Sequence, residues 1–450
     1  MEDKKLSNLN QLTIYEASQL IKAGKVTPIE LVKDCLDRIK EVDQELLAWR
    51  VVDELSSMET ARSLTQEMKN GKVRGPLHGI PVGIKDIFDV AGLPTRAGSV
   101  IFENVDPAVE DCSIVAKLRE AGAVIIGKTH VTQLAFYEPS PTRNPYHLQH
   151  TPGGSSSGSA AAISANMALL TLGAQTNASI SRPGAYCGAV CFKPTTHSIQ
   201  MDGVFPLAPS FDSPGLFANS LLDLAIGYQP FSDRSVNDLD ELYLQSLTGG
   251  SCKVGVVSDA IYSEASIDLQ NVQEETIKRL EVNHYEIKEV QAPRSFSDLI
   301  DLHRLVMAYE AAQHHHALVE EHDIGGKFGA LVEEGQQISE GAYKDAMDNI
   351  HRVKSEMLEL FDSFDVLLTL PTDTSAPEGL DPTGNPKFTT PWAALGVPLV
   401  VIPAALDGKG LPLAMMFASA PGSDFDLIKN CLPIERVMGK LPLPMIGNCK

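Results

Sequence analysis

The sequence predicts a single large α/β domain with a helical elaboration, and three observations carry that expectation. Hydrophobic residues make up 43% of the 450-residue chain and charged residues 21%, an ordinary balance for a globular fold. Through the first half, glycine-rich and β-branched segments alternate with helical periodicity, as strands and helices of one sheet would. From about 230 to 355 the text turns acidic and helical, as in "EGAYKDAMDNIHRVKSEMLELF".

Taken in order, the elements follow from local pattern. "TIYEASQLIKAGK" and "TPIELVKDCLDRIKEVD" place apolar residues three and four apart, and Thr27-Pro28 supplies a helix start. "DELSSMETARSLTQEMKNGK" reads as a third, more polar helix, closing an N-terminal helical segment over 1–70. An α/β core then runs over 71–230. Gly75–Ser99 reads as strand and loop, "SIVAKLREAGAVIIGKTH" as helix then strand, and "GSAAAISANMALLTLGAQT" as a buried small-residue helix leading into a strand. Residues 231–355 read as a helical layer over part of the sheet. "FDVLLTLPT" and "GVPLVVIPAAL" return to strand texture within 356–450.

Composition excludes several function classes. A formal net charge of −21 repels phosphate backbones, so no nucleic-acid partner is expected. Apolar runs are too short or too proline-broken to span a bilayer, and the polar opening "MEDKKLSNLNQ" predicts no secretory leader and no membrane partner. Seven cysteines without a C-x-x-C pair argue against a disulfide framework and for a reduced, cytoplasmic setting. Cys187 and Cys191 read as buried thiols.

The chemistry concentrates in "TPGGSSSGSAAAISANMALLTLGAQTNASISRPGAYCG", where serines crowd a glycine pair and Ser179 follows downstream, with no histidine near. Glycines let backbone approach a ligand, and a loop such as "TNAS" can aim several N–H groups at a developing oxyanion. A serine hydroxyl needs a base, and the candidate is Lys85 in "GIPVGIKDIFD", an amine that burial would leave neutral. A serine after Gly153-Gly154 could relay the proton. Taken alone, the lysine also reads as a snorkelling surface residue, and "GGSSSGS" as a flexible or phosphate-facing loop.

"GIPVGIKD", "TRNPYHLQHTPGGSSSGSAAA" and "GAQTNASISRPGAYCGAVCFKPT" together resemble the amidase signature family of serine hydrolases. The likeness extends through "FPLAPSFDSPGLFANSLLDLA" and "PWAALGVPLVVIPAAL" over nearly the whole chain. It implies a mixed central β-sheet flanked by helices and a Ser–cis-Ser–Lys triad. Lys85 matches the catalytic lysine, Ser155 the serine reached through a cis peptide bond, and Ser179 the nucleophile. The backbone N–H groups of Thr176, Asn177, Ala178 and Ser179 match the oxyanion hole. Trp392 and Arg182 are the substrate-binding candidates; Trp392 reads equally as plain core packing, and Arg182 could instead cap local carbonyls.

One departure stands out. The family commonly reads Asp-Thr-Gly-Gly-Ser-Ile-Arg where this chain has Gln175, Thr176, Asn177, Ala178, Ser179, Ile180, Ser181 and Arg182. Backbone donors survive those changes; substrate preference need not. The altered loop is similar to a subset that includes urethanases. The expected reaction is cleavage of a C–N bond in a small amide or carbamate through an acyl-enzyme, without cofactor or metal, and a homodimer is compatible with it. Two alternatives are the glutaminase subunit of a tRNA-dependent amidotransferase, for which the chain is short and acidic, and an inactive binding homologue. "QHHHALVEEH" reads as a polar helix face rather than a zinc site. Asp86 and Asp212 read as structural, since a carboxylate beside Lys85 would raise its pKa.

Overall fold

A computed structural model describes residues 8–232, 239–247 and 252–446. The polar opening residues 1–7 and Cys449 lie outside that range. An eleven-stranded sheet forms the frame, in the order β1-β3-β2-β4-β6-β5-β10-β11-β9-β7-β8. Its strands are β1 (Trp49–Val52), β2 (Pro81–Lys85), β3 (Val124–Thr129), β4 (Leu170–Gln175), β5 (Val190–Lys193) and β6 (Ser213–Ala218), then β7 (Lys253–Ser258), β8 (Glu286–Gln291), β9 (Val366–Thr369), β10 (Leu399–Leu406) and β11 (Pro412–Ala418). The sheet is mixed: β2 runs parallel to β3 and β4, the run from β4 to β9 is antiparallel, and β7 runs parallel to β8 and β9.

Helices cover both ends of the sequence as the periodicity predicts. They begin with α1 (Ile14–Lys22), α2 (Pro28–Leu46), α3 (Glu54–Lys69) and α4 (Ser113–Glu120). Thr27 and Glu30 form a reciprocal capping box ahead of α2, whose buried stripe includes Leu31, Cys35, Ile39, Val42 and Leu46. Losing such a cap costs about 1 kcal/mol. The core then supplies α5 (Ser157–Ser164), α6 (Ser181–Cys187) and α7 (Leu221–Tyr228). Every residue of α5 is buried, and a Cβ on Gly158 would lie 2.2 Å from the Ala48 carbonyl oxygen. That close approach explains the small-residue text.

The stretch 231–355 holds α8 (Leu239–Leu247), α9 (Ile267–Val282), α10 (Leu299–His322), α11 (Gly326–Gln336) and most of α12 (Glu340–Phe361), which ends six residues beyond it. It is not purely helical, which corrects the sequence expectation: β7 and β8 extend the sheet at one edge. In β8 the two apolar residues, Ile287 and Val290, stand three apart, a helical spacing. The other four positions carry charged or polar side chains that solvate an edge strand. α13 (Thr390–Leu395) and α14 (Asp424–Met438) complete the chain. One continuous apolar cluster runs from Leu9 to Ile446 and forms the main core of the described residues, with a small satellite of Tyr186, Ala376 and Leu411 beside it.

Among the described residues no helix is long and apolar enough to cross a membrane. The six described cysteines are all buried and unpaired.

Candidate active site

Parallel pairing of β2 with β4 brings their carboxyl ends to one rim of the sheet, where sites on α/β folds gather. Lys85 closes β2, and the 176–179 loop leaves β4 directly after Gln175. Ser155 arrives from the loop before α5. Gly153 there adopts φ +79°, open to glycine at no steric cost, and the Gly154–Ser155 peptide is cis. The Ser155 hydroxyl oxygen lies 2.7 Å from Lys85 Nζ, and the amine also donates to the Ala174 carbonyl at 3.1 Å. Ser156 N–H donates to the Ser179 carbonyl at 3.3 Å, tying the two serine segments together.

Ser155 and Ser179 line the same small pocket with Thr176, Asn177, Ala178 and Arg182. No hydrogen bond joins the two hydroxyls directly among the described residues, and Ser179 is half-buried. Such contacts commonly tighten only when substrate is bound. Within the described residues, no protein group accepts from the backbone N–H of Asn177, Ala178 or Ser179. Three free donors beside a serine form a ready anion site.

Lys85 is only 1% exposed. Burial pushes its pKa down to about 7 by disfavouring the ammonium, and Asp212 acts weakly the other way. Asp212 is itself occupied: it accepts from Thr176 Oγ1 at 2.5 Å and from the N–H groups of Leu207 and Ala208. Asp86, the direct neighbour of Lys85, pairs instead with Lys128 at 2.9 Å in a wholly buried ion pair. The amine thus sits without a contacting carboxylate. It is placed to take a proton near neutral pH.

The family model for Amidase matches residues 30–428. The chain belongs to the amidase family. As a member it is an enzyme acting on carbon–nitrogen bonds. A crystal structure described as an amidase superposes on this one with a TM-score of 0.85 at 27% identity, covering 94% of this chain and 99% of that one. Among curated relatives, a glutamyl-tRNA(Gln) amidotransferase subunit from Carboxydothermus hydrogenoformans is 30% identical, covering 94% of this chain and 96% of that protein. The corresponding protein from Geobacter sp. (strain M21) is 29% identical, covering 94% of this chain and 97% of that protein. The chain matches nearly the whole of those relatives, so its length does not set it apart from them.

The remaining predicted residues of the amidase part company. Arg182 reaches the pocket and also caps local carbonyls. It lines the pocket, while Nη1 donates to the Gly384 carbonyl at 2.5 Å and Nη2 to the Gly154 carbonyl, on the cis peptide, at 2.8 Å. Trp392 is not brought to the pocket. Its side chain is 0% exposed, packs edge-to-face on Phe296, and donates its indole N–H to Tyr262 at 2.8 Å. α13 reaches the site two residues earlier, where Thr390 Oγ1 donates to the Asn177 side-chain oxygen at 2.7 Å.

Sequence reasoning missed several contributors. Gln175 replaces the family's common aspartate, and its side-chain oxygen accepts from the N–H groups of Ile180 and Ser181, fixing the turn into α6. Phe136, Tyr137, Leu207 and Met307 form the apolar wall. Only Gln175 carried a signal, its place at the end of a strand and the start of the loop. The histidine run resolves without a metal cluster among the described residues. His315 turns inward, with Nε2 2.8 Å from the Pro206 carbonyl and its ring stacked on Phe205.

Proposed function

We propose that this amidase is a free-standing, metal-independent hydrolase of compact, uncharged amides or carbamates. Ser179 is the nucleophile, Ser155 the proton relay and Lys85 the base. The observation that carries the reading is the buried Lys85 amine 2.7 Å from a serine hydroxyl on a cis peptide, in one pocket with Ser179.

Ser179 Oγ attacks the carbonyl carbon as its proton passes to Ser155, whose own proton passes to Lys85. The oxyanion is received by the N–H groups of the 176–179 loop. Lysinium then returns a proton through Ser155 to the leaving nitrogen, the C–N bond breaks, and an acyl-enzyme remains. Water reverses the route: it loses a proton to the relay and releases the acid or, from a carbamate, the carbonic half-ester.

The glutaminase reading has one observation in its favour, the 29–30% identity to amidotransferase subunits over 94% of the chain. Pocket chemistry weighs against it. Free glutamine carries an ammonium as well as a carboxylate, and among the described residues no carboxylate lines the pocket to receive that ammonium. Its one charged lining residue, Arg182, donates from both terminal nitrogens to carbonyls and keeps Nε without a partner among the described residues, so the missing counter-charge for the ammonium carries the objection.

The test is a substrate panel assayed on the purified chain alone: a p-nitroanilide, simple amides, alkyl and aryl carbamates, and glutamine. Turnover of neutral amides or carbamates without a partner is expected, together with labelling of Ser179 by a fluorophosphonate. Activity confined to glutamine and dependent on added subunits would overturn the proposal, as would a label at any other residue.

A further inference from the structure

α10 approaches the site from behind the oxyanion loop, and one of its histidines does more there than fill space. His303 is 0% exposed, and its Nε2 lies 3.0 Å from the Thr176 carbonyl oxygen. A carbonyl oxygen only accepts, so Nε2 carries the ring proton. Nδ1 is then a bare lone pair, buried with no partner among the described residues. Burial also drives the ring's pKa down to about 4, so it stays neutral in this one tautomer at ordinary pH.

The loop before β6 holds the ring in place. His303 stacks on Phe211, with centroids 4.2 Å apart and planes 18° from parallel. Next along the chain is Asp212, which accepts the Thr176 hydroxyl proton. Glu310, further along α10, accepts from Ser210 N–H at 2.9 Å and from Tyr343 Oη at 2.8 Å. Thr176 is therefore gripped twice, at its carbonyl by His303 and at its side chain by Asp212.

The Thr176 carbonyl and the Asn177 N–H belong to one planar trans unit and point in opposite directions. Fixing the oxygen on the helix side aims the N–H into the pocket, where no protein group accepts it. A donor on the oxygen also draws charge through the unit and makes the N–H a stronger donor.

We propose that His303 is a positioning residue of the oxyanion hole: its Nε2–H, bonded to the Thr176 carbonyl, aims and polarises the Asn177 N–H toward the tetrahedral intermediate. The proposal rests on the Ser179 acyl-transfer reading given above.

The experiment compares His303→Phe, which keeps the ring on Phe211 without a donor, with His303→Gln, whose amide nitrogen reaches the same carbonyl. In His303→Phe, kcat falls about 10- to 100-fold while KM moves less than about threefold, and His303→Gln recovers to within about fivefold of the parent. Affinity for a trifluoromethyl ketone analogue of the substrate falls in step with kcat. A His303→Phe enzyme within about twofold of the parent overturns the proposal, and so do equal losses in both variants. Nitrogen-15 NMR of the histidine-labelled parent enzyme tests it without any variant needing to fold. A neutral ring protonated at Nε2 is expected, and protonation at Nδ1 overturns it. Fluorophosphonate labelling of the same samples separates the two readings. A label away from Ser179 sinks the acyl-transfer chemistry, whereas a label at Ser179 with unchanged His303→Phe kinetics sinks only the role of His303.

Discussion

β2 and β4 are buried along their whole length, whereas α10 and α12 bury one side and leave charged residues such as Arg304 and Glu340 outward. The two regions meet at one pocket and contribute different things to it. The sheet rim supplies Lys85, Ser155 and the 176–179 loop, the groups to which we assign the chemistry in the proposed mechanism. The 231–355 elaboration supplies Met307, which shapes the wall, and His303, which steadies the loop from behind. In the proposed mechanism a dry frame sets reactivity, and a cover half in water sets selectivity and fine aim.

Breaking the frame should have the largest effect. Lys85→Met and Ser179→Ala should each lower kcat/KM by about 10⁴-fold or more, measured on whichever substrate the panel ranks first. Lys85→Met should at the same time stabilise the fold by about 1 kcal/mol, since a thioether replaces a desolvated amine. The Ala174 carbonyl is not orphaned in that variant, because Ser156 Oγ still donates to it at 3.1 Å. Denaturant unfolding in which Lys85→Met is clearly destabilised would mean that the amine is a structural tie rather than a strained base.

The pH dependence sharpens the same contrast. With Lys85 at about 7, kcat/KM should fall about tenfold per unit below that pH and level off above it. The stability effect has its own window. The folded pKa is depressed from the ordinary 10.5, so between about 7 and 10.5 the unfolded chain holds the proton more tightly and stability from this group rises with pH. Below 7 both states carry the proton and the full penalty applies. The advantage of Lys85→Met should therefore be greatest below pH 7 and fade as 10.5 is approached. An advantage that does not change with pH would contradict the neutral amine.

Smaller effects belong to the cover. Met307→Ala should lower kcat/KM for a methyl carbamate by about tenfold while a phenyl carbamate holds or gains, and the ratio of the two is the measurement. An unchanged ratio would remove α10 from the specificity wall. Least of all, Thr390→Val deletes the hydroxyl that donates to the Asn177 side chain and should cost about 1 kcal/mol of transition-state stabilisation, roughly fivefold in kcat/KM. A loss as large as that from Lys85→Met would mean that α13 belongs to the frame.

Much of the fold was legible because each signal was local. The capping box at Thr27, the stripe of α2 and the small residues of α5 all lie within single elements. β8 was not legible, because an edge strand solvated on most positions has no clean alternation to read. The site divides in the same way. Lys85, Ser155 and Ser179 stand in dense motifs, and a resemblance could be carried onto them one by one. His303 meets Thr176 across 127 residues of chain, and Thr390 meets Asn177 across 213. No neighbouring text marks either as a site residue. Trp392 illustrates the converse: a conspicuous side chain in the right segment turned into the core, and an unremarkable threonine beside it reached the loop.

The sequence by itself determined the alternation of strands and helices, the single main core, and which amine and hydroxyls could form a relay. Tertiary structure decided how deeply the amine is buried, that Asp86 is held away by Lys128, and that a histidine on a distant helix grips the 176–179 loop. The reason is that composition and periodicity are properties of neighbours along the chain. A pKa or an aimed N–H depends on which groups exclude water around it, and those groups come from everywhere in the fold.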